Sequence, residues 1–111
     1  MNPKALKYIL DIESIISELE LIKSRVNNNF NLFQKDFIIK RACERDLEII
    51  GEAINKLIQL EPNINISSTK NIIGLRNLII HSYDSVEDEI IWGIIQKDIP
   101  ILKAEIELIK R

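Results

Sequence analysis

Apolar residues recur along this chain at intervals of three and four, with charged residues filling the gaps. Over residues 4–26 the stripe is Leu6, Ile9, Ile12/Ile16, Leu19 and Ile22/Val26, a spacing that gathers them on one face of a helix. Asn27, Asn28 and Asn29 should end it, because short amides compete for backbone hydrogen bonds. The stretch to about Phe33 reads as a loop whose Phe30 and Phe33 tuck back onto the core. Residues 36–60 read as the longest helix, with Asp36 as N-cap and Ile39, Cys43, Leu47, Ile50, Ile54 and Leu57/Ile58 as its stripe. Glu61-Pro62-Asn63 stops it. Ser67-Ser68-Thr69 caps a third helix running to about Ile80 through Ile72, Ile73, Leu75, Ile79 and Ile80. Asp84-Ser85 then reads as a turn, and Ser85 with Asp88 resembles a capping box opening a fourth helix from Val86 to about Lys97. Asp98 is expected to cap a fifth, since Pro100 is tolerated only in a first turn. Leu102, Ile106 and Ile109 carry that helix onward.

Isoleucine is abundant and by itself favours strands, but no alternating pattern accompanies it. The expected fold is therefore all-α, an up-and-down bundle of four to five helices in a single domain over residues 1–111. Long apolar faces point to a helix-paired dimer. Trp92 falls off its helix's main stripe, so it should pack an edge or a subunit interface. No apolar stretch approaches the ~20 residues of a membrane span, and no secretory leader is visible, so the chain reads as cytoplasmic. Net charge is −2. A nucleic-acid binder ordinarily carries a basic excess, so such a role needs basic residues gathered at one place or contributed by two protomers.

The stretch Gly74-Leu75-Arg76-Asn77-Leu78-Ile79-Ile80-His81-Ser82-Tyr83 carries the most chemistry, including the only histidine. Asn77 and His81 fall on one helix face; Arg76 and Tyr83, seven apart, fall on another. An unbroken helix points Arg76 away from His81. Fraying before the Asp84-Ser85 turn would let the imidazole swing toward Arg76, or toward a second protomer. Such a set suits metal-free phosphodiester cleavage. Histidine can accept and donate a proton near neutrality. Arginine offers a fork of donors matched to a phosphate and its transition state. Asparagine can orient a ribose hydroxyl or a phosphate oxygen, and RNA supplies its own 2′-hydroxyl nucleophile. Taken singly, each residue also has a plain explanation: a histidine bonding a helix-terminal carbonyl, a salt-bridged surface arginine, a packing tyrosine. A second stripe, Arg41, Arg45, Glu48 and Glu52, reads as intrahelical ion pairs on a solvated or dimer-facing surface. Neither a metal-ligand cluster nor a glycine-rich phosphate loop is visible, and no cofactor is expected.

Arg76-Asn77, then His81-Ser82-Tyr83 after three residues, resembles the arginine–histidine motif, extended by a tyrosine, of the HEPN superfamily and its HepT-like toxins. Arg45-Asp46-Leu47-Glu48-Ile49-Ile50-Gly51-Glu52-Ala53 resembles that family's long second helix. Trp92 and Asp98-Ile99-Pro100-Ile101-Leu102 resemble its C-terminal helices. The resemblance implies a HEPN helical bundle and a homodimer with both motifs lining one cleft. It implies metal-independent endoribonuclease activity, as the toxin of a two-gene toxin–antitoxin system. Arg76 and His81 would be catalytic, with Asn77 and Tyr83 supporting. The implied partners are RNA and a minimal nucleotidyltransferase antitoxin, which would silence the toxin by transferring AMP to Tyr83. The alternative is a non-catalytic binding or dimerisation module that partners such a transferase.

Overall fold

In the computed structural model the structure describes residues 1–81 and 87–111, except the His81 side chain. The expected turn at Asp84-Ser85, the Ser85 cap and the position of Tyr83 lie outside the described residues. The described residues contain helices and connecting turns, with no strand among them. None of their helices is long and apolar enough to cross a membrane.

Helix α1 spans Pro3–Arg25; Asn2 accepts the Lys4 amide and Pro3 occupies the first turn, where its missing N–H costs nothing. Asn27 and Asn28 follow with φ of 54° and 50°, the left-handed region that asparagine tolerates better than other branched or bulky residues. The chain then departs from the expected loop. Asn29 accepts the Leu32 amide and opens a short helix, α2, over Phe30–Lys35. Six residues give too few periods for the sequence to announce it. Phe33 is fully buried there, and Phe30 and Phe33 stack against Trp92 with ring centroids 6.1 and 4.9 Å away. Trp92 thus closes an edge of this protomer's own core.

Helix α3 spans Phe37–Leu60, its N-cap Asp36 accepting the amides of Ile38 and Ile39 as its position predicted. Helix α4 spans Thr69–His81. Helix α5, Asp88–Gly93, starts with Glu87 at its cap, two residues beyond the expected start. It runs through a π-helical turn, Ile94–Asp98, directly into α6, Ile99–Lys110. The expected break at Asp98 is absent: Asp98 has helical backbone angles and makes no side-chain cap bond. The π turn is how the rod passes Pro100. The Ile99 amide reaches back five residues to the Ile94 carbonyl, absorbing one extra residue ahead of the proline that cannot donate. The described residues therefore form five rods.

The two longest helices pack on each other, α4 packs on the other side of α3, and α6 closes against α1. Ile9, Ile12 and Leu19 of α1 meet Leu47, Ile50, Ile54 and Leu57 of α3 in the core, with Ile72, Ile91, Ile95 and Leu102 completing it. The expected stripes hold except at the ends: Leu6 is exposed, with Ala5 facing inward instead, and Ile80 at the end of α4 is exposed too. Lys103–Glu20 and Lys110–Glu13 tie α6 to α1 at 2.8 and 2.9 Å.

Candidate active site

Helix α4 carries the motif, and its distance from α3 is set by a glycine. A Cβ built on Gly51 would stand 2.7 Å from the Arg76 Cβ, 3.1 Å from its Cγ and 3.4 Å from the Ile72 carbonyl oxygen. Only a residue without a side chain lets the two helices approach so closely. The approach lays the stem of Arg76 across α3, a quarter of its side chain remaining exposed.

Two neighbours hold the guanidinium. Nη2 lies 2.6 Å from a Glu52 carboxylate oxygen, and Nη1 donates to Asn77 Oδ1 at 3.1 Å. Nε is buried and meets no partner among the described residues. Glu52 also receives Lys56 at 3.8 Å. The second charged stripe is thus only partly what its spacing suggested. Arg45–Glu48 at 3.3 Å is intrahelical, and Arg41 reaches Glu44 at 4.0 Å rather than Glu48. Glu52 crosses to the motif helix because the glycine beside it brings that helix within reach.

Arg76 and Asn77 are therefore brought together. His81 is the last residue of α4, and the helix is unbroken from Arg76 to it. Five helical positions separate their backbones by about 140° around the axis, so fraying ahead of His81 does not bring them together. Asn77 and His81 keep to one side, about 40° apart. Tyr83 lies outside the described residues.

A cleft of about 280 Å³ opens beside Arg76, walled by α1 and α3. Ile49 and Ala53 give it an apolar surface, Tyr8 supplies an aromatic ring, and charged groups of both signs ring it. Nothing in the sequence marked Tyr8 out: it sits off the apolar stripe of α1, half-buried, in the second turn beside Lys7.

Below α3's charged face lies one further ionisable group. Asp46 is buried, and burial first, then the negative charge of Glu18 and a hydrogen bond shared with it, push its carboxyl up to about 7 despite the opposing Arg45. Burial likewise pushes the Cys43 thiol up to about 12, so it stays protonated and inert as a nucleophile.

The family described as HepT-like, Ribonuclease HepT-like, matches residues 15–109 of the chain. A protein of Caldanaerobacter subterraneus subsp. tengcongensis carrying the name "Putative RNase" is 38% identical over 98 residues, covering 86% of this chain and 88% of that protein. A Methanocaldococcus jannaschii protein with the same designation is 34% identical over 94 residues, covering 81% and 84%. The "Probable ribonuclease HepT" of Thermococcus cleftensis is 31% identical over 105 residues, covering 90% and 93%. No solved structure matches the chain.

Proposed function

Because this chain belongs to the ribonuclease HepT-like family, we propose that it is a metal-independent endoribonuclease and the toxin of a toxin–antitoxin pair. The observation that carries this is the setting of Arg76. Its guanidinium stands at the edge of a cleft, fixed by Glu52 and Asn77, on the helix that ends at His81. A planar donor fork held in place loses little freedom when it meets a phosphate.

In the proposed reaction the RNA 2′-hydroxyl attacks the adjacent phosphorus. The 2′-oxygen–phosphorus bond forms as the bond to the 5′-oxygen breaks. One imidazole takes the 2′-hydroxyl proton and later releases it to solvent, and solvent supplies the proton that the departing 5′-oxygen takes up, leaving a 2′,3′-cyclic phosphate and a 5′-hydroxyl. Arg76 pairs with the non-bridging oxygens as their charge grows. Each chain has one histidine, and about 140° of helix rotation separates it from Arg76. A homodimer fits both facts: two equivalent sites, each facing the Arg76 of one protomer with the single His81 of its partner copy. The partner in the cell would be a minimal nucleotidyltransferase antitoxin acting on Tyr83, and the site of action the cytoplasm, where its RNA is.

A second reading, a non-catalytic module that binds the transferase, draws on one observation: the Glu52 carboxylate already occupies one arm of the Arg76 fork. One assay separates the two. Purified protein is incubated with RNA in excess chelator beside His81→Ala and Arg76→Ala, with circular dichroism on each. We expect cleavage by the wild type, loss of at least about a hundredfold in each variant, and unchanged helicity. RNA in which every 2′-hydroxyl is methylated should resist. Intact RNA in the wild-type reaction would leave the binding module as the standing reading.

A further inference from the structure

The cleft beside Arg76 has a composition that the cleavage step does not use. Asp11, Glu48 and Glu52 oppose Arg45, Lys56 and Arg76 around it, three carboxylates against three cations. The charges are also spoken for locally: Arg45 by Glu48 at 3.3 Å, Lys56 and Arg76 by Glu52 at 3.8 and 2.6 Å, and Asp11 by Lys7 at 2.9 Å, whose ammonium lies 5.2 Å from the centre of the Tyr8 ring and leaves the other ring face for stacking. A lining with no net charge and paired cations gives a free phosphate little reason to settle inside. An uncharged flat ring is a better match. It can lie on the apolar surface of Ile49 and Ala53, stack on the Tyr8 ring, and trade hydrogen bonds with the rim. At about 280 Å³ the space suits one small planar group rather than a longer segment.

We propose that this cleft is a subsite for one RNA base bearing an exocyclic amino group, stacked on Tyr8 next to the phosphate engaged by Arg76; the assignment rests on the ribonuclease reading above. An ionised carboxylate only accepts hydrogen bonds and keeps spare lone pairs beside an ion pair, so Asp11 and Glu48, each with one cation on it, still favour a ring edge that donates. Adenine and cytosine present an amino group there, and guanine an amino group beside a ring N–H. Uracil presents carbonyls and a single imide N–H, and its carbonyls would face carboxylate oxygens. Stacking tolerates every base, so Tyr8 supplies affinity and the acidic rim supplies discrimination.

The test is binding, read apart from turnover. The full-length 15N-labelled protein is titrated in chelator with AMP, CMP, UMP and inorganic phosphate. AMP and CMP should shift the Tyr8, Ile49 and Ala53 amides and bind roughly fivefold or more tightly than UMP, equivalent to about one hydrogen bond. Inorganic phosphate should leave those three signals in place. Tyr8→Leu keeps the bulk on α1 and removes the π face, and should weaken AMP binding by roughly tenfold; Tyr8→Phe should not. Equal affinity for UMP, shifts confined elsewhere, no response to any nucleotide, or AMP binding unchanged in Tyr8→Leu would each overturn the subsite. RNA cleavage is scored separately on adenine-rich and uracil-rich strands. Cleavage without discrimination overturns the subsite and spares the ribonuclease reading. AMP binding at Tyr8 by a protein that leaves RNA intact overturns the ribonuclease reading, and the assignment of the cleft to RNA goes with it.

Discussion

Arg76 shows how a single side chain acquires a role from its surroundings. Its stem is pressed against Gly51, one arm of its fork is held by Glu52 and another by Asn77. None of these three contacts is visible in the five-residue spacing between Arg76 and His81, which arises readily by chance. The spacing became informative only together with the matching segments around it. Glu52 was missed because its helix offered it nearer partners, and an intrahelical reading is the default when only one helix is in view. Tyr83 is the residue with the sharpest consequence for regulation. In the proposed silencing a transferase activates the Tyr83 phenol to attack the α-phosphorus of ATP, expelling pyrophosphate, and the AMP attached would bring about one negative charge toward Arg76 and His81. That adduct should silence cleavage without unfolding the protein. We expect intact-mass spectrometry, after incubation with the cognate transferase, ATP and magnesium, to find one AMP per chain in the wild type and none in Tyr83→Phe. An adduct that persists in Tyr83→Phe would place the acceptor elsewhere.

At the scale of elements, helix boundaries were legible wherever a stripe ran for three turns or more. Helices α1, α3 and α4 begin and end within about two residues of their caps and breakers, since amide and carboxylate caps act locally. The short α2 and the unbroken passage from α5 to α6 were not legible. Whether a proline starts a new helix or is absorbed by a π turn depends on what the rod packs against, here α1 and α4. Two predictions belong to the contacts of α3. Gly51→Ala should force α4 outward by several tenths of an ångström, lowering stability by about 1–3 kcal/mol and moving Arg76 enough to cut cleavage roughly tenfold or more. Chemical denaturation and cleavage rates check it; a Gly51→Ala variant as stable and active as the wild type would show that the approach is slack. On the opposite face, Asp46 meets Glu18 of α1. Its carboxyl is raised from about 3.9 to about 7 on folding, so the folded protein holds a proton that the unfolded chain releases. Its contribution is complete below about pH 4 and is lost as pH rises through 7. Asp46→Asn, which cannot ionise, should therefore flatten the fall in stability between about pH 4 and 7 and be roughly 1 kcal/mol more stable than the wild type at about pH 8. A variant less stable at that pH would mean the ionised carboxylate is a net support there.

The whole molecule presents a mismatch between where its chemistry sits and how much of it one chain can assemble. Net charge is −2, the backbone positions of the single histidine and Arg76 lie about 140° apart around α4, and the charges lining the cleft cancel. Yet α4 does not end in a polar surface. Leu78 and Ile80 remain exposed on it, and Phe37, Ile38 and Ile90 on the helices that follow α2 and precede the π turn are exposed too. Ile80 follows Arg76 by four positions and Leu78 precedes His81 by three, so an uncovered apolar side chain neighbours each motif residue on its own face. A second copy seated on that helix would bury these side chains and put two motifs in one cleft, in a self-complementary two-fold contact. Apolar residues at such a contact support association through their area alone, whereas a carboxylate there would have to be desolvated without a partner. Leu78→Glu and Ile80→Glu should each convert a dimer at micromolar concentration into a monomer by light scattering. Each should also lose cleavage by at least about a hundredfold while helicity is kept, because neither side chain belongs to the buried core. Mixing inactive Arg76→Ala protein with inactive His81→Ala protein then tests whether the site is shared. If each site draws its arginine from one chain and its histidine from the other, a mixed dimer has one site with both residues and one with neither. Exchange of subunits should therefore restore up to about a quarter of wild-type cleavage, half the dimers being mixed and half their sites intact. No recovery after verified subunit exchange would confine the site to a single chain.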